Sequence, residues 1–402
     1  MIGAGIFAVF TPAAQAAGTG LLVGLVIAAI VAWCNATSSA QLAAVYPTSG
    51  GTYVYGRARL GPWWGFVAGW SFIIGKTASC AAMALTFAAY AAPAGWERPV
   101  AVAAVVGLAA VNYRGVSRTA LLTRIIVIVV LASLAVVVAA GAVSVGGGAG
   151  IGLGAGAGAG AESGWFAGGL YGILQSAGLL FFAFAGYARI ATMGEEVRDP
   201  ARTIPRAITL ALTITVVLYG LVAVAVLGTL GAAGVGASSE PLADTVRAAG
   251  FAWVIPLVVV GAAAACLGAL LALIAGVGRT TLAMAREGDL PRWLAAVHPR
   301  FHIPHRAEIV LAAVVVLIVL TVDLRGAIAF SSFGVLLYYL VANLAAIGQP
   351  AAQRRYPRTV QVIGVAGCLV LLATLPPVGI AVGIGVVLIG VGYRLVARRV
   401  AR

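Results

Sequence analysis

Charged residues are scarce in this 402-residue chain. They make up 9% of it, whereas hydrophobic residues make up 62%. An average soluble domain is about 25% charged and roughly 45–50% apolar. A chain so poor in charge cannot cover a water-exposed surface, which excludes an ordinary soluble protein. The composition instead predicts an all-α polytopic membrane protein, because a helix satisfies its own backbone hydrogen bonds inside a bilayer.

Side chains that ligate metals or perform catalysis are equally scarce. The chain has 11 acidic residues, three histidines and four cysteines. Every acidic residue lies in a predicted loop or at the end of a predicted span, and Pro299 and Pro304 interrupt any helix that would align the histidines. An intramembrane enzyme needs a nucleophile with a base, or a metal, at membrane depth. The sequence therefore predicts no enzyme, no metal site and no cofactor.

Lysine occurs only once, at Lys76, and the other 24 basic residues are arginines, with a net charge of +14. Nucleic-acid binding requires basic residues clustered on one face, whereas these are scattered between apolar runs. The excess positive charge therefore does not indicate a nucleic-acid partner. The partner that it indicates is the lipid bilayer.

Apolar runs long enough to span a bilayer recur along the whole chain. At roughly 33 residues for a span and its connection, the length corresponds to about 12 spans. The predicted helices lie near residues 19–45, 62–92, 97–113, 118–144, 204–230, 251–278, 308–322, 327–348, 359–375 and 378–393. Segments 1–16 and 164–194 are apolar but interrupted by glycine, and the glycine-rich residues 145–161 predict an external linker.

The distribution of basic residues predicts the orientation. With residue 1 near the cytoplasmic side, nineteen arginines lie in cytoplasmic loops or tails, and only Arg98, Arg247 and Arg325 lie outside. Such an asymmetry in short loops is the positive-inside signature, and we expect a multi-pass protein of the cytoplasmic membrane. Three basic residues remain within or at the edge of spans, namely Lys76, Arg124 and Arg189.

The two interrupted segments are the candidate site. One begins M-I-G-A-G-I-F at residues 1–7, and the other contains F-F-A-F-A-G-Y at residues 181–187. Breaks at corresponding positions of two halves indicate the midplane site of a transporter. The amide groups at a half-helix start attract a carboxylate, and freed carbonyls accept from an ammonium, so an amino acid zwitterion fits both. The alternative is that these glycines only allow close helix packing.

These residues resemble the amino acid-polyamine-organocation transporter superfamily. The opening G-A-G-I-F is similar to the family's first-helix break, and residues 181–208 resemble its sixth helix and following loop. P-T-S-G-G-T-Y at 47–53 is similar to the loop after the second helix, and residues 278–291 to the end of the eighth.

The resemblance covers nearly the whole chain and implies one transporter domain over residues 1–402. Its fold would be the leucine-transporter-like five-plus-five inverted repeat, with residues 1–144 and 164–348 as the repeats and 359–393 as two extra C-terminal helices. The first helix begins at its break, and we expect its inner half to be missing through a truncated or misassigned start.

The resemblance also implies roles for individual residues. The carboxylate end would be lined by Ile2, Gly3, Ala4, Gly5 and Ile6. The ammonium end would be lined by Phe182, Ala183, Phe184, Ala185 and Gly186. Phe181, Phe182 and Phe184 are candidates for an aromatic gate over the substrate, with core or lipid packing as the alternative.

Departures from the family pattern affect the mechanism. Ala188 and Arg189 stand where the family usually has an acidic residue, which puts carboxylate-relayed proton coupling in doubt. Lys76 and Arg124 are ionisable residues in apolar surroundings, which indicates function by default. Lys76 is expected near the substrate side-chain pocket. Arg124 is expected near the position where some family members carry a lysine in place of a sodium ion, unless it reaches the interface.

A charged cluster that includes Glu195 and Glu196 is expected to form gating salt bridges at the inner mouth, or alternatively a solvated loop. The predicted function is secondary active transport of amino acids by alternating access, with exchange or coupling to H+ or Na+. A fixed cation at Lys76 favours neutral or acidic substrates over cationic ones. The alternative is a transporter-like amino acid sensor or accessory subunit without flux. A channel is disfavoured, because paired breaks indicate an occluded site.

Overall fold

The computed structural model describes residues 2–46, 50–115, 120–146, 168–187 and 199–400. Within these ranges the chain forms helices and turns and contains no β-strand. The α-helices are α1 (Gly5–Ala8), α2 (Phe10–Ala17), α3 (Leu21–Val45), α4 (Thr52–Leu60), α5 (Pro62–Ala91), α6 (Glu97–Tyr113), α7 (Ala120–Gly146), α8 (Gly169–Phe184), α9 (Pro200–Ala237), α10 (Pro241–Ala248), α11 (Ile255–Arg286), α12 (His305–Thr321), α13 (Leu324–Ile347), α14 (Arg358–Thr374) and α15 (Pro377–Val400).

The helix lengths fit a polytopic membrane protein. Over the described ranges, eight helical segments are long and apolar enough to cross a bilayer, and one of them, Phe10–Val45, contains both α2 and α3. Helices α6, α12 and α14 have 17 residues each, or about 25 Å. The expected total of about 12 spans, the inverted repeat and the division into repeats stay predictions. Most of the predicted linker at 145–161 lies outside the described residues.

Helix α9 is longer than the predicted span at 204–230. It runs from Pro200 to Ala237, and Gly231 inside it has φ 68° and ψ 167°. The hydropathy pattern predicts only the apolar part of a helix, whereas the helix itself continues until its backbone hydrogen bonds end. The kink at Gly231 uses a positive φ that glycine adopts readily.

The centre of the bundle is built on close approaches between helices. Helices α5, α8 and α13 are mainly buried, whereas α7 and α15 are mainly exposed. A Cβ atom at Gly334 of α13 would lie only 2.7 Å from the Cα atom of Gly75 in α5. One turn further along α5, the Ser79 and Ser331 hydroxyls lie 2.6 Å apart. Small residues at helix contacts are what membrane packing requires, since lipid gives no hydrophobic drive between helices.

A second contact region is polar. The Asn343 side-chain amide donates to Asn35 Oδ1 at 2.6 Å and its oxygen accepts from Ser38 Oγ at 2.6 Å. A Cβ atom at Gly364 would lie 2.6 Å from Asn343 Oδ1. These contacts join α3, α13 and α14, and interhelical hydrogen bonds of this kind contribute about 0.6 kcal/mol each on average in membranes.

The Asp289 cluster connects three parts of the chain at one end of the bundle, namely α4, the turn after α11 and α15. Asp289 accepts from Arg394 of α15 at 2.8 Å, from Arg57 of α4 at 3.1 Å and from the Tyr53 hydroxyl at 3.0 Å. Arg57 also contacts Glu287 at 3.0 Å. Burial and the Asp289 carboxylate raise the pKa of Tyr53, which keeps its hydroxyl protonated as a donor. The cluster lies at the predicted cytoplasmic end.

The Arg394 side chain is 2% exposed, and its guanidinium has further partners. It donates to the Pro62 carbonyl oxygen at 2.7 Å and lies 4.7 Å and 4.6 Å from the ring centroids of Trp63 and Phe66. A cation in such a position is stabilised by the ring faces as well as by the carboxylate. The exposed helix α15 is thereby attached to the start of α5.

We expect Asp289→Asn to destabilise the folded protein strongly. Removing one charge of a buried pair leaves its partners uncompensated and costs about 3–5 kcal/mol. The matched control is Asp199→Asn, because Asp199 faces Arg202 at 3.9 Å with both side chains largely exposed and such pairs contribute about 0–1 kcal/mol. Thermal unfolding of the purified protein in detergent compares the two. Equal midpoints for both variants would contradict a stabilising role of the cluster.

Candidate functional site

The first interrupted segment begins a helix inside the bundle. Gly3 and Ala4 precede α1, which begins at Gly5; Ala4 has helical dihedral angles (φ −54°, ψ −28°) and makes no side-chain cap. Val9 keeps helical dihedral angles (φ −84°, ψ −22°), and its amide bonds to the Gly5 carbonyl at 3.1 Å, so α1 continues almost directly into α2. The first amide groups of a helix have no intrahelical partner and carry partial positive charge.

The second interrupted segment ends a helix. Helix α8 stops at Phe184, and Ala185–Tyr187 form a 3-10 turn in which the Ala185 amide bonds to the Phe182 carbonyl. Gly186 is exposed although its neighbours Ala185 and Tyr187 are buried. The last carbonyls of a helix are partly negative, so this turn presents acceptors where the first segment presents donors.

The two segments are in direct contact. A Cβ atom at Gly5 would lie 2.6 Å from the Cα atom of Ala183 and 2.9 Å from its Cβ atom. Only glycine allows this approach, because real Cβ atoms do not come so close to another backbone. The glycine predicted to permit a break therefore also permits the start of α1 to lie against the end of α8.

Lys76 lies at this junction. Its ammonium donates to the Ala185 carbonyl oxygen at 3.2 Å, and the residue is 6% exposed. In the part of the chain that the structure describes, no carboxylate forms a salt bridge with it. A cation at the C-terminal end of a helix is stabilised by the helix dipole. Lys76 thus occupies one acceptor, the Ala185 carbonyl, at the turn that is predicted to bind a substrate ammonium.

Two tyrosines support the junction from other helices. The Tyr219 hydroxyl of α9 donates to the Ala183 carbonyl at 3.4 Å, and the Tyr90 hydroxyl of α5 donates to the Phe7 carbonyl at 3.3 Å. Tyr90 also accepts from the Leu242 amide at 3.4 Å. Buried tyrosines take such partners because an unpaired hydroxyl is costly. Backbone groups next to both breaks are thereby satisfied.

The candidate gate aromatics are all buried. Phe181 packs edge-on against Tyr339 with ring centroids 6.0 Å apart, and Phe184 lies 5.3 Å from the Tyr219 ring. Phe182 is 7% exposed. Tyr339 also stacks on Tyr187 at 4.8 Å. These contacts fit the alternative of core packing for Phe181 and Phe184, and a gating role stays a prediction for all three.

The other predicted site residues are distributed as follows. Ala4 and Ile6 are buried, whereas Ile2 is half-buried and packs on the core. Arg124 is exposed on α7, which fits the alternative that its side chain reaches the interface. The gating candidates Arg189, Glu195 and Glu196 lie outside the described residues. Their proposed roles are untested.

Sequence reasoning missed Tyr90, Tyr219 and Tyr339 as part of this site. Each lies in an apolar run, where a tyrosine is compatible with a lipid interface, a core or a binding site. The only available signal was that a buried hydroxyl needs a partner. That signal does not say which backbone group the partner is.

Comparisons with known proteins concern the chain as a whole and not the arrangement of these residues. The family described as amino acid permease matches residues 1–394. An uncharacterized transporter of Mycobacterium tuberculosis is 57% identical over 405 residues, covering 100% of this chain and 90% of that protein. The branched-chain amino acid permease BcaP of Bacillus subtilis is 26% identical over 388 residues, covering 91% and 81%. Cationic amino acid transporter 7 of Arabidopsis thaliana is 27% identical over 362 residues, covering 85% and 62%.

We expect Gly5→Ala to force the two interrupted segments apart. The added methyl group would meet the Ala183 backbone at 2.6 Å, and overpacking of this kind costs about 1–3 kcal/mol. Thermal unfolding should therefore begin at a lower temperature. Gly220→Ala on α9 is the matched control, because no atom lies within 4 Å of its added Cβ atom.

A second variant separates the two contacts of that methyl group. Combining Gly5→Ala with Ala183→Gly removes the contact at the Ala183 Cβ atom but keeps the contact at the Cα atom. We expect partial recovery of the unfolding temperature. If Gly5→Ala unfolds at the same temperature as Gly220→Ala, the close approach of the two segments is wrong.

Proposed function

The chain belongs to the amino acid permease family, and on that premise we propose that it is a secondary active transporter. It carries amino acids across the cytoplasmic membrane by alternating access and prefers neutral or acidic substrates to cationic ones. The observation that carries the proposal is the junction of Gly5, Ala183, Ala185 and Lys76. There a helix start, a helix end and a fixed cation meet inside the bundle.

The substrate carboxylate is assigned to the start of α1. The residues around Gly5 offer backbone amides in the positive field of a nearly continuous helix that extends to Ala17. The Lys76 ammonium lies at the adjoining turn and adds attraction for the same carboxylate. The start of the helix contributes partial positive charge and Lys76 contributes a full positive charge, so both favour an anionic group.

The substrate ammonium is assigned to the carbonyls at the end of α8. The carbonyl of Ala185 already accepts from Lys76, and that of Ala183 accepts from Tyr219. A carbonyl has two lone pairs, so Ala183, whose present donor is a neutral hydroxyl, can accept the ammonium, whereas at Ala185 the charge of Lys76 opposes it. A zwitterion carries no net charge and experiences little net repulsion from Lys76.

A cationic side chain would be opposed. Two unit charges 4 Å apart interact by about 4 kcal/mol at an effective dielectric constant of 20. Such a repulsion exceeds the gain from one additional hydrogen bond, which is about 0.5–1.5 kcal/mol. The buried Lys76 is therefore the selectivity determinant of the proposed site. The plant relative, whose printed name gives cationic amino acids as its substrates, is the contrasting case.

The energy source is proposed to be exchange, or coupling to H+ or Na+ without a carboxylate in the middle of a span. Within the described ranges every acidic residue lies in a loop or near a helix end. They are Glu97, Asp199, Glu240, Asp244, Glu287, Asp289, Glu308 and Asp323. A mid-membrane carboxylate relay has no candidate among them.

The substrate class is tested by uptake into proteoliposomes. We expect labelled leucine or glutamate to accumulate and excess unlabelled arginine to compete poorly, because of the repulsion from Lys76. A neutral amino acid in the same excess is the control competitor. Strong competition by arginine with none by neutral amino acids would overturn the substrate assignment. Binding of labelled leucine without flux would favour a sensor or accessory subunit instead.

The role of Lys76 is tested by replacing it. We expect Lys76→Met to increase competition by arginine about tenfold or more, since a change of 1.4 kcal/mol already corresponds to tenfold and the removed repulsion is larger. Lys76→Arg keeps the charge and should keep arginine excluded. Unchanged selectivity in a folded, active Lys76→Met variant would show that Lys76 does not determine substrate charge.

A further inference from the structure

A large groove opens on one side of the bundle, and Gly5, Lys76, Ala183 and Ala185 do not line it. Helices α12 and α15 form its walls and α5 and α13 its floor, and it encloses about 1150 Å³. We call it the lateral groove and define it by Ile73, Val314, Ile318, Phe330, Val382 and Ile389. Val314, Val382 and Ile389 are 41%, 48% and 69% exposed, so the groove faces the surrounding membrane.

The lateral groove spans most of the apolar thickness of a bilayer. Its lining extends from Ala307 to Thr321 along α12 and from Val378 to Tyr393 along α15. At 1.5 Å per residue each run covers about 22 Å, which is most of a hydrocarbon core of about 30 Å. The groove therefore extends along the direction in which acyl chains lie.

The terminal helix forms a wall without filling the space. A Cβ atom at Gly383 would lie 2.4 Å from the Phe333 ring, and one at Gly390 would lie 2.5 Å from the Trp70 indole nitrogen. The Trp70 indole also donates to the Val386 carbonyl at 2.9 Å. These contacts fix one face of α15 on α5 and α13 and leave its other face open towards α12.

One end of the groove is positively charged. Arg98, Asp323 and Arg325 all line that end. The Arg98 guanidinium donates to the Leu320 carbonyl oxygen, and Arg325 donates to two glutamine side-chain oxygens, at 3.3 and 3.2 Å. Within the described chain neither arginine forms a salt bridge with a carboxylate. Asp323 instead accepts from the Gly326 amide at 2.9 Å.

We propose that the lateral groove binds a membrane glycerophospholipid, with its phosphate at Arg98 and Arg325 and its acyl chains along α12 and α15. Arginine suits this role because its planar donors match a phosphate, and it stays charged near a membrane. The apolar lining suits the chains. The net positive charge of the three ionised groups at that end favours an anionic phosphate over a cationic group.

A transmembrane helix of a second copy fits less well. An apolar helix could cover the walls of the groove, but it would bring no anionic group to Arg98 and Arg325, neither of which forms a salt bridge within the described residues. A second copy is therefore an outcome that the experiment must separate from a lipid.

The first experiment measures phospholipid retained by the purified protein after extensive washing in detergent, by quantitative mass spectrometry. We expect the double variant Arg98→Gln with Arg325→Gln to retain phospholipid at least about tenfold less than the unmodified protein, because it removes both charged donors to the phosphate. Arg247→Gln is the matched control, since Arg247 is an arginine outside the groove. Equal retention in the double variant and the unmodified protein would overturn the proposal.

The second experiment fills the groove and leaves its charged end unchanged. We expect Val382→Trp to reduce phospholipid retention, whereas Val260→Trp, an exposed valine of α11 outside the groove lining, should leave it unchanged. Equal retention in both variants would contradict the position of the acyl chains. If the purified protein is a dimer that Val382→Trp dissociates, the groove is an interface between copies and the lipid proposal is wrong.

The third experiment identifies the recognised chemistry. Added dioleoyl phosphatidylglycerol and dioleoyl phosphatidylethanolamine, which share the phosphate, should both raise the unfolding temperature of delipidated protein. Dioleoylglycerol, which lacks the phosphate, should raise it much less. An equal shift with dioleoylglycerol would overturn phosphate recognition. These readouts are binding and stability, so they succeed or fail independently of amino acid transport.

Discussion

A helix that ends inside a membrane leaves backbone amides or carbonyls without hydrogen-bond partners, and lipid cannot supply such partners. Here the start of α1 and the end of α8 lie against each other, because Gly5 has no side chain to separate it from Ala183. Lys76, Tyr90 and Tyr219 then donate to carbonyls around this contact. The partners of these backbone groups come from α5 and α9, so the position of those helices is tied to the two interruptions.

The packing of α5 on α13 fixes the position of Lys76 at that junction. Gly75 immediately precedes Lys76, and its close approach to Gly334 brings α5 and α13 within backbone contact. Since the position of Lys76 follows from that crossing, a shift of α5 by one residue would turn its ammonium away from Ala185. Within the described ranges the salt bridges lie near the ends of the bundle, as in the Asp289 cluster.

The helices were largely predictable from the sequence, because a bilayer requires long apolar runs and tolerates little else. The glycines in 1–7 and 181–187 predict the two interruptions; the structure has a helix start at Gly5 and a helix end at Phe184 there, and an interruption of a spanning helix at each stays a prediction. The partner of Lys76 was not predictable, since the contact depends on the rotation of α5 relative to α8, which no single-sequence pattern contains. The unknown rotation of a helix also explains why the environment of Arg124 was not predictable. Its apolar neighbours suggested a buried coupling group, but an exposed lipid-facing helix has the same composition, and the residue is exposed on α7.

Lys76 also constrains how such a transporter can be driven. A coupling ion does work by binding more tightly in one conformation than in the other and by leaving afterwards. In the proposed mechanism a cation on a covalent side chain cannot leave, so Lys76 at the Ala185 carbonyl would select among substrates without supplying energy. It could take part in coupling only by losing its proton or by moving away from the carbonyl. Both would expose the end of α8 to the substrate ammonium, so in this arrangement selectivity and coupling would depend on one hydrogen bond.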